Sequence, residues 1–182
     1  MLAIARGVVQ RGTSFGVPLK NFLSGLILSA LALAFTDSSA PRGPAYVQNT
    51  CGVIAQLLVC LTILTYSTDF NRDLRFTAAA GVLFSVLANM QDHALSVLTL
   101  WSSVHLTIIP TIDYISTRRS GISHPPDALT LALMISGSLS LLGWGTFILI
   151  SGLPGLAATN FLGAALALAT LANMYSSKVK TA

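Results

Sequence analysis

The sequence predicts an all-α, polytopic membrane helix bundle with six transmembrane helices and both termini on the same, positive-inside side. Three observations predict it. The 182 residues are 53% hydrophobic and only 9% charged, where soluble domains average about 25% charged. The charge-free stretches have the length a bilayer demands. The basic residues, once those stretches are placed, fall almost entirely on one side. A mean hydropathy of +0.74 does not describe a surface that faces water all round. That excludes an ordinary soluble domain, a nucleic-acid module and a disordered tail. The six acids are all Asp, and two cysteines are too few for a disulfide scaffold.

A spanning helix needs roughly 17 to 25 apolar residues, since each rises about 1.5 Å through a core about 30 Å thick. Charges mark the ends. Asn21 to Thr36 is charge-free between Lys20 and Asp37, giving a short first span over 20–36 that lengthens if Lys20 snorkels. Gly43 to Thr68 contains the second, 46–67. Phe76 to Gln91 gives the third, 75–91, and Asp92-His93 interrupts it. Ala94 to Ile112 starts the fourth, 95–115, which continues across Asp113. A single helix plus a re-entrant piece over 76–112 is the alternative, disfavoured because the turn at Asp92 is only about three or four residues. Ala128 to Ser177 is charge-free for 50 residues, too long for one helix. Gly152-Leu153-Pro154-Gly155 breaks it into spans 128–151 and 156–175. The segments are then a basic N-terminal tail (1–19), a six-helix domain (20–175) and a C-terminal tail (176–182).

The loops test this count. Six spans gather Arg6, Arg11, Lys20, Arg72, Arg75, Arg118, Arg119, Lys178 and Lys180 on one side and leave Arg42 alone on the other. Such a bias places both termini in the cytoplasm or in an organelle's matrix. The basic excess is thus mainly a topology signal. Arg72, Arg75, Arg118 and Arg119 are also candidates for contact with anionic headgroups at the inner surface. Arg6, Arg11 and the absence of acid in the first twenty residues fit an organellar targeting segment and fit a positive-inside tail equally. A cleavable secretory signal fits less well, because the first apolar stretch starts late.

Small residues recur four apart, as at Gly25 and Ser29, Ser136 and Ser140, or Gly163 and Ala167, and let helices approach closely. Tyr46, Tyr66, Tyr114 and Tyr175 lie near span ends, as an aromatic belt predicts. Trp144 is expected to be buried. Cys51 and Cys60 fall on opposite faces of one helix, so they cannot pair and are expected to be small core residues.

Polar groups at mid-membrane carry the functional information, because burying them without a partner is costly. His105 lies about 15 Å into span four, and Gln56 sits at a matching depth in span two. The two can satisfy each other as a structural hydrogen-bonded pair, or His105 can line a catalytic or ligand site. Asn49, Thr50, Thr62 and Thr65 add polar groups on span two. A Thr hydroxyl is a nucleophile if a base takes its proton, but most membrane threonines bond back to their own helix. The residues do not provide a paired-histidine haem site, a zinc cluster, a phosphate-binding loop or a nucleophile elbow. No cofactor or metal is expected. An ion relay would need intramembrane carboxylates, and Asp92 and Asp113 lie near span ends, so an ion-coupled transporter has only weak support.

The run His105-Leu106-Thr107-Ile108-Ile109-Pro110, with a basic loop ending Ser123-His124-Pro125, resembles the androgen-induced family of six-helix membrane hydrolases. Leu129-Thr130-Leu131 and the Ser151-Gly152 turn extend the likeness over roughly residues 46–175. The resemblance implies six spans, cytoplasmic termini, and hydrolysis of fatty-acid esters with Thr50 as nucleophile, His105 as base and Gln56 following on the same helix. The chain departs from that pattern in several places. Thr50 to Gln56 is one residue short, Asn49 takes the aligned place, the loop between spans three and four is reduced to about Gln91-Asp92-His93, and the aromatic cluster before span six is absent.

Three functions follow as expectations. The first is a non-catalytic accessory subunit of a larger membrane complex in an energy-converting organelle membrane, such as the mitochondrial inner membrane, packed against lipid and partner subunits. The second is a lipid-ester hydrolase working through Thr50 and His105. A small-solute transporter is a third, and no nucleic acid is expected as a partner.

Overall fold

The computed structural model describes residues 1–15, 17, 19–36, 43–112, 115 and 128–179. All regular structure among the described residues is helical. In chain order the helices are α1 (Leu2–Arg11), α2 (Leu19–Ala34), α3 (Pro44–Thr65), α4 (Phe70–Ala88), α5 (Ala94–Ser103), α6 (Ala128–Ile150) and α7 (Pro154–Val179). A short 3₁₀ turn, Gln91–His93, precedes α5, and a π turn, Val104–Ile108, follows it. Three helical stretches are long and apolar enough to cross a membrane: Ala45–Thr65, Gln91–Ile112 and Pro154–Asn173. Leu19–Ala34 is a shorter apolar helix, and Met134–Ile150 is an apolar stretch within α6.

The chain forms two compact units, Met1–Leu98 and Thr99–Ala182. In the first, α2 packs on α3 and α4, and α1 packs on α3. Its core is Leu19, Leu23, Val59, Cys60 and Ile63, joined by Ile4, Ala5 and Val17. The Ser14 N–H donates to the Tyr66 carbonyl at 2.9 Å, tying the segment before α2 to the end of α3. So α2 and α3 run antiparallel. The segment expected as a tail thus contains a packed helix. Val8 is fully buried, and Ile4 lies one turn before it on the same face. Gly12 ends α1 at φ 65°, a left-handed cap that suits glycine.

Helix α4 starts at Phe70, five residues before the expected span. Asp69 explains the early start: its side chain accepts from the Arg72 N–H at 3.2 Å, capping the helix while it is still in the charged zone. In the second unit α6 packs on α7, and α7 packs on the π turn. The reversal between α6 and α7 is a Schellman turn. The Leu153 N–H donates to the Ile148 carbonyl and the Gly152 N–H to the Leu149 carbonyl, with Gly152 at φ 81°. Pro154 then opens α7, where its missing N–H costs nothing.

Two expectations are corrected. Cys60 is buried in the core, but Cys51 is exposed. Trp144 is half-buried rather than buried, and it meets Phe147 edge-on with ring centres 5.4 Å apart.

Candidate functional site

The predicted site residues divide between the two units. Asn49, Thr50 and Gln56 lie on α3 in the first, and His105 lies in the second. Thr50 is half-buried, and its hydroxyl donates to the Tyr46 carbonyl at 2.9 Å, on its own helix. Thr62 and Thr65 bond back in the same way, to Leu58 and Leu61. Asn49 is half-buried beside Thr50. Gln56 is half-buried too, and its Oε1 is a buried acceptor with no hydrogen-bond partner among the described residues. Arg118 and Arg119 lie outside the described residues, as do Asp113, Tyr114 and His124.

His105 occupies the π turn, where the Ile109 N–H reaches back five residues to the Val104 carbonyl. The sequence explains the widening. Pro110 has no N–H to give the Leu106 carbonyl, and its ring crowds that oxygen, so the preceding turn opens. The Leu106 carbonyl then faces Gly163 of α7, where a β-carbon would sit 3.0 Å from the oxygen. Near this turn the second unit holds a buried polar contact: Ser102 Oγ and Thr159 Oγ1 lie 2.7 Å apart. Asn160 is buried next to it, and its side-chain N–H donates to the Leu156 carbonyl at 2.9 Å. Thr107 Oγ1 is buried with no hydrogen-bond partner among the described residues. Widened turns recur at functional sites. The residues gathered here are hydroxyls, an amide and one imidazole.

The charged end of the first unit is more elaborate. Asp73 is a buried carboxylate, 8% exposed. It accepts from Ser67 Oγ at 2.6 Å and from Arg72 Nε and Nη2 at 3.3 and 3.2 Å. Arg72 also approaches Asp69 at 3.8 Å. Arg72 and Asp73 line a cavity of 540 Å³ together with Ser14, Phe15, Lys20 and Thr68. Arg75, with Arg72, Asp69, Asn71 and Phe76, lines a neighbouring one of 510 Å³. Sequence reading singled out Arg72 and Arg75 but missed Ser14, Asp73 and the pairing that steadies Arg72. The signal was present: Ser67-Thr68-Asp69 ahead of a helix is a capping sequence.

No group of three metal-ligating side chains occurs among the described residues. No family model, curated protein or solved structure matches the chain.

Proposed function

We propose that the chain is an integral-membrane protein of six spanning helices that serves as a non-catalytic accessory subunit of a larger membrane complex. One observation carries this reading. The three long apolar helices bury only 22%, 11% and 28% of their spanning windows within the chain. On α3, Ile54, Leu57, Leu58 and Leu61 are all 46–55% exposed. Apolar surface on that scale needs lipid tails or partner helices. Helices α2 and α6 fit two of the remaining spans, with charged α4 entering from the headgroup zone as the third. The positive-inside bias supports termini on the cytoplasmic or matrix side, and an energy-converting organelle membrane suits a small subunit of this kind. Gentle detergent extraction followed by native electrophoresis tests the proposal, because a subunit co-migrates with a larger assembly.

The π turn favours one other reading, a lipid-ester hydrolase with His105 as base. That chemistry needs the Thr50 hydroxyl to give its proton to a base, whereas Thr50 donates to Tyr46. Ester hydrolysis by the purified chain, and its loss on changing His105, would support the enzyme.

A further inference from the structure

Two cavities lie along one seam, between α2 and α4 of the first unit. The first is the 540 Å³ mouth, lined by Leu19 and Lys20 at the start of α2 and by Arg72, Asp73 and Phe76 at the start of α4. The second has 310 Å³ and is apolar. It is lined by Leu23, Leu26 and Ile27 of α2 and by Ala80, Gly81 and Phe84 of α4, with α3 behind. Each set lies one helical turn beyond its counterpart in the mouth: Leu23 follows Leu19, and Ala80 follows Phe76. So α2 and α4 run in parallel, and an apolar groove follows the charged mouth one turn further along the seam.

We infer that this seam is a binding site for one phospholipid with a singly anionic phosphodiester head, such as phosphatidylglycerol. The head sits between Lys20 and Arg72, and an acyl chain lies in the groove over Gly81. Charge complementarity argues for the head. Lys20, Arg72 and Arg75 against the Asp69 and Asp73 carboxylates leave this charged end with a net charge of +1, which matches one phosphodiester. Arg72 is held in place by Asp73 and has five N–H donors, of which two are spent on that carboxylate. Its planar fork suits phosphate oxygens. Thr68 supplies a hydroxyl at the rim. Space argues for the chain. A β-carbon at Gly81 meets nothing within 4 Å, so the helix leaves room along the groove. Its volume lies within the roughly 300–1,000 Å³ typical of ligand pockets.

The inference rests on the membrane reading and not on the subunit role. A chain that migrates alone in native electrophoresis overturns the subunit role and leaves this site standing.

Native mass spectrometry of the full chain tests it, in detergent micelles holding equal phosphatidylglycerol and phosphatidylcholine. The wild type retains one phosphatidylglycerol in clear preference to phosphatidylcholine. Each basic residue near an anionic surface is worth roughly fivefold, so Lys20→Gln lowers the preference by about that factor and Lys20→Gln/Arg72→Gln by roughly tenfold or more. Gly81→Phe fills the groove and lowers retention of either lipid, while circular dichroism stays unchanged. Lys20→Gln alone keeps the test valid if loss of Arg72 unsettles Asp73. Equal retention of the two lipids by the wild type overturns the proposal. So does a preference unmoved by Lys20→Gln, or retention unmoved by Gly81→Phe. Glycerol phosphate without acyl chains should not be retained, and its retention at the lipid's level would overturn the groove.

Discussion

The Ser67 hydroxyl donates to the Asp73 carboxylate at 2.6 Å, six residues along the chain, and so folds the α3–α4 connection onto the first turn of α4. Ser67 Oγ also accepts from the Asp69 N–H at 3.0 Å. Asp69 in turn caps the helix through the Arg72 N–H. Three short polar side chains therefore settle where a charged stretch becomes helix.

Removing the cap should cost what a cap is worth. Asp69→Ala should lower stability by about 1 kcal/mol, and Asp69→Asn, which keeps an acceptor, by a few tenths. Unfolding in mixed micelles measures both. Equal losses would mean that Asp69 acts by charge and not as a cap.

This corner also shows where sequence reading stops. Charge boundaries located the apolar helices closely: Lys20 marked α2, starting at Leu19, and the glycine-proline break marked the α6–α7 turn. Helix α4 begins ahead of the charge-free stretch, because Arg72, Asp73 and Arg75 read as loop when counted singly. Paired and capped, they are the first turn of a helix. The count also passed over α1, whose signal was the spacing of Ile4 and Val8 with Gly12 as the stop. For the site, Pro110 was legible as a landmark, but the widening it forces at His105 depends on where the Leu106 carbonyl can go. The back-bonding of Thr50 was the arrangement expected of most membrane threonines.

Two glycines should respond oppositely to alanine. At Gly163 a β-carbon would lie 3.0 Å from the Leu106 carbonyl and 3.1 Å from the Leu106 Cβ, so Gly163→Ala should cost about 1–3 kcal/mol. At Gly81 it meets open space, and Gly81→Ala should stabilise the helix by up to about 1 kcal/mol. Thermal unfolding of the two variants side by side checks the sign of each.

The Ser102–Thr159 contact predicts a coupling. Interhelical hydrogen bonds in membranes average about 0.6 kcal/mol by double-mutant cycle. Ser102→Ala and Thr159→Val should each destabilise modestly, and the double variant should lose less than their sum by about that amount. Strict additivity would show that the 2.7 Å contact contributes nothing.

Thr50 offers the sharpest test of chemistry. With its hydroxyl on the Tyr46 carbonyl, Thr50→Val should change stability by less than about 0.5 kcal/mol. Purified wild type and Thr50→Val should hydrolyse a fatty-acid ester of a hydroxy fatty acid at the same background rate. A wild-type rate well above background that Thr50→Val removes would establish the hydrolase instead.

The central claim is that exposed apolar helix faces are covered by partner subunits and lipid. Native electrophoresis after extraction in a mild detergent tests it most directly, with the chain followed by antibody or mass spectrometry. The account predicts co-migration with a high-mass assembly that survives mild detergent and comes apart in harsh detergent. Migration as a free monomer of 19.1 kDa in every mild detergent would contradict it.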